Sequence, residues 1–350
     1  MKSIVKNKHS FRNLQDIAGP MLILCLCLSV SQSMAQKAMA STLFDSLYQT
    51  EIEKIQIYLN IDTFLQNKFT DKEQEGKIKV ISKGDSLVLA VDISVRSKSR
   101  RRYCDFPPIK FDFTKSDLEA MGLDNEDEYK VVTHCLDQEL GEEILLKEFM
   151  IYQLYRIITP ISLRAKLVDV EYIDSGNSGH LRKKAVILES ENEFAKKHKG
   201  KLCDCMGTPL DKIDGLQMEI VAMFQYMVGN TDMDHLVERN IKLIEPKDDA
   251  QLMIPVAYDF DFSALVNAPY VHKQVEDNRR IQRVYLGYKE NESRLPEVIQ
   301  LFKSKEEEIL EFVGNFDLIS KKERRKCLDY IKDFYREIDG DELVLPYKQR

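Results

Sequence analysis

Lys110, Glu148, Asp232, Asp234, Asn240, Asp259 and Asp261 are the side chains whose types and order could do chemistry. Lys110 falls in Ile109–Phe113, a short strand with Ile109, Phe111 and Phe113 on one face and Lys110 and Asp112 on the other. Glu148 lies in a helix among Ile144, Leu145, Ile151 and Tyr152, its neighbours three and four positions away. A carboxylate in that apolar stripe is costly without a cation, and Lys110 is the expected partner. Asp232, Asp234 and Asn240 follow an apolar helix, and Asp259 and Asp261 end an apolar strand. Phosphoryl transfer needs these parts: a lysine for the phosphates, a glutamate to hold it, an aspartate by the attacking oxygen, and an asparagine plus an aspartate for Mg²⁺.

The elements that must position these residues are legible around them. Lys77–Ser82 and Leu87–Val95 read as strands turned by Lys83-Gly84-Asp85, and residues 128–135 as another. Glu142–Ile157 reads as a helix ended by Thr159-Pro160. Ser162–Ile173 and Lys184–Glu189 read as a hairpin around Ser175–Gly179, followed by a polar linker at Lys196–Lys201. Gly215–Val228 is apolar on nearly all sides and reads as a buried helix. Short strands are expected at Ile241–Ile244 and Leu252–Ala257, and a charged helical layer over 272–339.

The chain has 350 residues, 43% hydrophobic and 31% charged, which excludes wholesale disorder. Its formal charge of −7 argues against nucleic-acid binding through net charge. Lys2, Lys6, Lys8 and Arg12 precede the apolar run Met21–Val30, and Ser33-Met34-Ala35 offers a cleavage site. That pattern predicts a signal peptide over 1–35 and an exported mature chain without a transmembrane span. Cys104, Cys135, Cys203, Cys205 and Cys327 remain after cleavage, an odd number, so at least one is unpaired. Disulfides, buried thiols and a thiolate metal site all fit the spacing.

Four stretches resemble the CotH-type secreted kinases, an atypical branch of the protein-kinase-like fold: VRSKSRRRYCDFPPIKFDF, LLKEFMIYQLYRIITPISLRAKLVDVEYID, VGNTDMDHLVERNIKLI and IPVAYDFDFSALVN. The resemblance covers roughly Leu87 to Tyr270 and rests on motif order. It implies an α+β, two-lobed protein-kinase-like fold. A strand-rich N-lobe would span 41–195 and a helical C-lobe 202–340, with a frayed tail at 341–350. It also implies ATP and Mg²⁺ or Mn²⁺ as cofactors. By the resemblance Lys110 contacts the ATP phosphates and pairs with Glu148, and Glu189 sits near the adenine. Asn240 and Asp259 hold metal, with Asp261 nearby. Asp232 is the catalytic aspartate by motif order. The spacing to Asn240 leaves Asp234 equally eligible. Arg96-Ser97 stands where the family has an Arg-Gly pair.

The function expected is phosphoryl transfer to a hydroxyl acceptor that the sequence does not identify. The alternatives are a non-catalytic, pseudokinase-type binding protein for a cell-surface partner, and a metal-dependent glycosyltransferase using Asp259-Phe260-Asp261 as a D-x-D motif. The basic run Arg100-Arg101-Arg102 reads as a charged loop or as a grip for an anionic substrate.

Overall fold

Alternating burial along seven strands builds the first half of the structure. The computed structural model describes residues 40–340 apart from 98, 138, 178, 249–250 and 273–282. Its strands are β1 (Ile52–Leu59), β2 (Gln74–Ser82), β3 (Asp85–Val95), β4 (Ile109–Asp112), β5 (Glu128–Val132), β6 (Ala165–Asp174) and β7 (His180–Leu188). They close into a barrel in the order β1-β2-β3-β4-β5-β7-β6. Every pairing is antiparallel except that of β1 with β6, which runs parallel from Ile55↔Val170 to Leu59↔Asp174. Ile55, Ile57, Ile78, Ile93, Ile109, Phe111, Tyr129 and Tyr172 fill the interior. Helices α1 (Leu43–Gln49), α2 (Ile61–Gln66) and α3 (Lys115–Ala120) flank these strands in sequence.

The long helix α4 (Glu139–Ile158) lies between β5 and β6 in the chain. After β7 come α5 (Glu191–Lys197), β8 (Gly200–Leu202), α6 (Gly215–Val228), β9 (Ile241–Pro246), β10 (Ile254–Ala257) and α7 (Pro269–His272). Helices α8 (Leu295–Ser304), α9 (Glu306–Gly314) and α10 (Lys321–Asp339) complete the described part. β8, β9 and β10 form a second sheet in the order β10-β9-β8. Helix α6 begins at an Asp214 cap that accepts the Gln217 amide and stops at Gly229, whose φ of 66° suits a residue without Cβ.

This architecture corrects the two-lobed, protein-kinase-like expectation. The strands do not make an open strand-rich lobe hinged to a helical one; they close into a seven-stranded mixed barrel. Closure depends on β1, a strand absent from the sequence reading, because it supplies the parallel bond to β6. A second apolar core then joins Val132, Ala165, Val186 and Leu188 from the barrel strands to α4, α6, the small sheet and α8–α10. The chain from Ser41 on forms one unit. Among the described residues no helix is long and apolar enough to cross a membrane. The expected signal peptide and C-terminal tail lie outside the described residues.

Among the described residues there are two disulfides. Cys104–Cys135 bridges the segment after β3 to the loop before α4, and Cys203–Cys205 closes a two-position link after β8. Cys327 is free and buried on α10.

Candidate functional site

The residues of interest meet in a cleft of about 460 Å³. It is lined by Ser97, Ser99, Arg100, Thr231, Asp232, Arg239, Asn240, Asp259, Asp261, Phe262 and Val271. Three segments build it. The first leaves β3, turns at Ser97 (φ 71°), and enters a single 3-10 turn at Arg100–Arg102. The Ser97 hydroxyl accepts the Arg100 amide, and the Arg100 carbonyl accepts the Cys104 amide at 2.9 Å. The Cys104–Cys135 bond and the Phe106–Cys135 backbone bridge then anchor this turn to the start of α4. Arg100 points inward as a result. Arg101, with 11% of its side chain exposed, bonds instead to Asp71 and the Val95 carbonyl.

The second segment follows α6. The Asn240 amide nitrogen donates to the Asp232 carbonyl at 2.6 Å and to its Oδ2 at 2.9 Å. Arg239 stands 3.7 Å from the Asp232 carboxylate. The third follows β10. Its Asp259 amide donates to the Tyr152 hydroxyl of α4 at 3.1 Å. Phe260 is buried against Tyr152 and Phe224, fixing the aspartates on either side of it. Asn240 (φ 53°) and Asp259 (φ 61°) both adopt left-handed backbone, as Ser97 does. Left-handed residues other than glycine cost on the order of 1 kcal/mol each and tend to gather at functional sites.

Arg100 is the centre of the cluster. Its Nη2 lies 2.7 Å from Asp259 Oδ1, its Nε 2.7 Å from Asp261 Oδ2, and its Nη2 3.4 Å from Glu148 Oε2. The Tyr270 hydroxyl donates to Asp261 Oδ2 at 3.0 Å. One guanidinium thus serves three carboxylates. Burial disfavours its charge, but Asp261, Glu148 and Asp259 outweigh burial and hold the Arg100 pKa well above its usual value.

The carboxylates divide. Burial, together with Asp259 and Glu148, pushes Asp261 up to about 8 despite Arg100. Burial likewise raises Glu148, with Asp259 adding to it and Arg100 opposing. Asp259 goes the other way: burial is outweighed by Arg100, Arg96 and Lys130, and its pKa is lowered. Asp259 is also the most open of the three, with 26% of its side chain exposed against 3% and 2% for Glu148 and Asp261. Burial thus disfavours the ionised form at Glu148 and Asp261, whereas at Asp259, the carboxylate open to the cleft, the neighbouring cations favour it.

The structure brings Asp232, Asn240, Asp259 and Asp261 to this cleft, and Glu148 joins them through Arg100. It does not bring Lys110. That side chain points away from the barrel interior, as its strand position predicts. It is bonded to Glu128 and Asp112, with Glu73 at 3.3 Å. Burial opposes its charge, but Glu128 and Asp112 raise its pKa. The expected Lys110–Glu148 pair is therefore corrected: the buried carboxylate found its cation in the basic run, at Arg100. Asp234 bridges Arg239 by backbone, and its side chain accepts the Leu236 amide, the chemistry of a turn. Glu189 lies in another pocket, bonded to Arg164 and Lys197.

Part of this donor set is already engaged: the Arg100 guanidinium lies 2.7 Å from Asp259 Oδ1 and 2.7 Å from Asp261 Oδ2, contacts that a cation would make. Among the described residues no group of three or more His, Cys, Asp or Glu is disposed to hold a metal ion. Arg100 is the residue that sequence reasoning missed in this role. The available signal was an arginine run opposite several carboxylates with no assigned partner. No family model and no curated protein matches this chain significantly.

Proposed function

We propose that the cleft binds a small phosphate-bearing ligand, of nucleotide size or less, and that the protein acts there as a binding protein without metal-dependent transfer. The observation that carries this reading is the Arg100 cluster. It supplies a fixed positive charge where metal-dependent phosphoryl transfer requires a divalent ion. Support for a phosphate comes from the rest of the lining: the Ser97, Ser99 and Thr231 hydroxyls and the half-open Arg239 guanidinium. The volume falls within the roughly 300–1,000 Å³ of small-molecule pockets. The two disulfides favour an oxidising compartment, in keeping with an exported chain.

Calorimetry with ATP, with and without Mn²⁺, tests the reading. The expected result is binding that changes less than threefold on adding Mn²⁺ and weakens about tenfold in Arg239→Ala, the size of one charge-assisted contact. Binding only in the presence of Mn²⁺, lost in Asp259→Ala, would overturn it.

A second reading, phosphoryl transfer to a hydroxyl, is favoured by the shared cleft of Asp232, Asn240 and Asp259. In that reading Asp232 accepts the proton of the acceptor hydroxyl. Transfer of label from γ-labelled ATP, abolished in Asp232→Asn, would support it over the first.

A further inference from the structure

Away from the cleft, the Cys203–Cys205 disulfide stands in a setting that differs from that of Cys104–Cys135. Cys104 and Cys135 are each 2% exposed, and a backbone bridge reinforces their link. Cys203 and Cys205 are two positions apart, in a stretch without regular structure, and Cys205 is half-buried. A link this short removes little freedom from the unfolded chain, so it adds little to stability.

Three segments meet at Cys205. Its amide donates to the Glu238 carboxylate at 2.9 Å, the Gly207 amide donates to the Leu236 carbonyl at 2.7 Å, and the Cys205 sulfur lies 3.8 Å from Met253 Sδ. These same segments carry apolar side chains that face solvent: Met206 at 66% exposure, Val237 and Leu252 at 45%, and Leu236 at 37%. Isolated exposed apolar residues are ordinary; four of them on the loops that converge on one accessible disulfide are not.

We propose that Cys203–Cys205 is a thiol–disulfide exchange site for a partner polypeptide that carries two cysteines in an apolar stretch. A thiolate of the partner attacks Sγ of Cys205, the less buried of the two cysteines. A new sulfur–sulfur bond forms to Cys205, the Cys203–Cys205 bond breaks, and its electron pair leaves on Cys203, which takes a proton from water. The partner's second thiol then attacks the partner's own sulfur in the mixed disulfide and releases Cys205 as a thiolate. Two electrons pass from the partner dithiol to this chain. The partner leaves as a disulfide and the chain as a dithiol. Exposed Met206, Leu236, Val237 and Leu252 give the apolar stretch its seat.

The full chain is equilibrated in glutathione buffers of graded redox ratio, alkylated and mapped by mass. The expected result is that Cys203–Cys205 opens at least tenfold earlier in that ratio than Cys104–Cys135. Opening of both together, or free Cys203 and Cys205 in air-oxidised protein, would overturn the proposal. In Cys203→Ser, a leucine-flanked peptide whose cysteine is supplied as its glutathione disulfide should form a mixed disulfide with the Cys205 thiolate, releasing glutathione, at least tenfold faster than a serine-flanked one. Val237→Asp and Leu252→Asp together should remove that preference while leaving the rate with oxidised glutathione unchanged. Equal rates for the two peptides, or adducts at Cys327, would overturn the choice of partner and site.

Discussion

Arg100 Nη2 lies 2.7 Å from Asp259 Oδ1, across 159 positions of sequence. The contact joins the turn after β3 to the loop after β10, and Glu148 and Asp261 share the same guanidinium. Removing one partner of a buried ion pair strands the other. Arg100→Ala is therefore expected to cost about 3–5 kcal/mol, read as a shift in the urea midpoint. A cost below about 1 kcal/mol would mean that the carboxylates do not depend on this cation.

Asp261 makes part of that stability depend on pH. Its folded pKa of about 8 is above its ordinary value of 3.8, so the folded chain binds more protons than the unfolded chain between those limits. The contribution is fully present below about pH 4 and is lost as pH rises towards 8. Asp261→Asn keeps an acceptor for Arg100 and no longer titrates. Its stability relative to wild type should rise steadily between pH 5 and 8 in urea melts. A flat difference would show that the carboxyl ionises normally.

Glu219 offers a cleaner case. It is fully buried on α6, and neither carboxyl oxygen has a hydrogen-bond partner among the described residues. Burial alone pushes its pKa up to about 8. The same sign applies: its stability contribution is present below about pH 4.5 and lost as pH climbs through 8. Glu219→Gln should leave stability nearly unchanged at pH 4.5. At pH 8 it should be stabilising by about 2–4 kcal/mol, since each tenfold change in proton affinity between folded and unfolded chain is worth about 1.4 kcal/mol. No gain at pH 8 would place an unseen partner at the carboxyl.

The two disulfides should differ in worth. Cys104–Cys135 closes a loop over a sequence separation of 31, and Cys203–Cys205 over a separation of 2. Chain entropy assigns the first about 3–4 kcal/mol and the second about half of that or less. Melting of Cys104→Ala/Cys135→Ala beside Cys203→Ala/Cys205→Ala checks the order. The first pair should also loosen the Arg100 turn and weaken ligand binding; the second should not.

Lys110→Met isolates the residue expected to meet the phosphates. Lys110 is bonded to partners outside the cleft, two of them substantially exposed. The substitution should cost about 1 kcal/mol or less and leave ATP binding unchanged in calorimetry. A tenfold loss of affinity would return Lys110 to the site.

Much of this arrangement could be read from residues alone. Apolar, β-branched stretches on either side of Lys83-Gly84-Asp85 placed β2 and β3, period-two alternation placed β4 and turned Lys110 outward, and the all-round apolar run gave α6 its observed limits of Gly215–Val228. Asp232, Asn240, Asp259 and Asp261 line one cleft, and each lies close in sequence to an element whose apolar pattern is strong. The need of Glu148 for a cation was legible as well, since burial of a carboxylate is a local property of its helix.

Which cation it took was not. That choice depends on the path of the 96–104 segment, fixed by a disulfide and a backbone bridge to residues distant in sequence. Barrel closure was hidden for a similar reason. Three of the eight residues of β1, Glu53, Lys54 and Gln56, are polar or charged, and its parallel partner β6 lies more than a hundred positions away. Lys196–Lys201 read as a polar linker. It holds instead the last turn of α5, a helix that Ser190 caps through the Asn192 amide, and the first two residues of β8, Gly200 and Lys201.

The parallel bond between β1 and β6 also decides where this chain could stick to itself. Barrel closure pairs β6 with β1 over Val170–Asp174 and so covers a row of amides and carbonyls that another strand could extend. The small sheet keeps two such rims, on β10 and β8. Each is blunted: β10 carries Pro255, which lacks an amide hydrogen, and β8 is three residues long with Lys201 at its middle. Among the described residues these two rims are short starting points for ordered fibril growth. Once β1 is peeled away, the flank of β6 from Val170 to Asp174 becomes a further template.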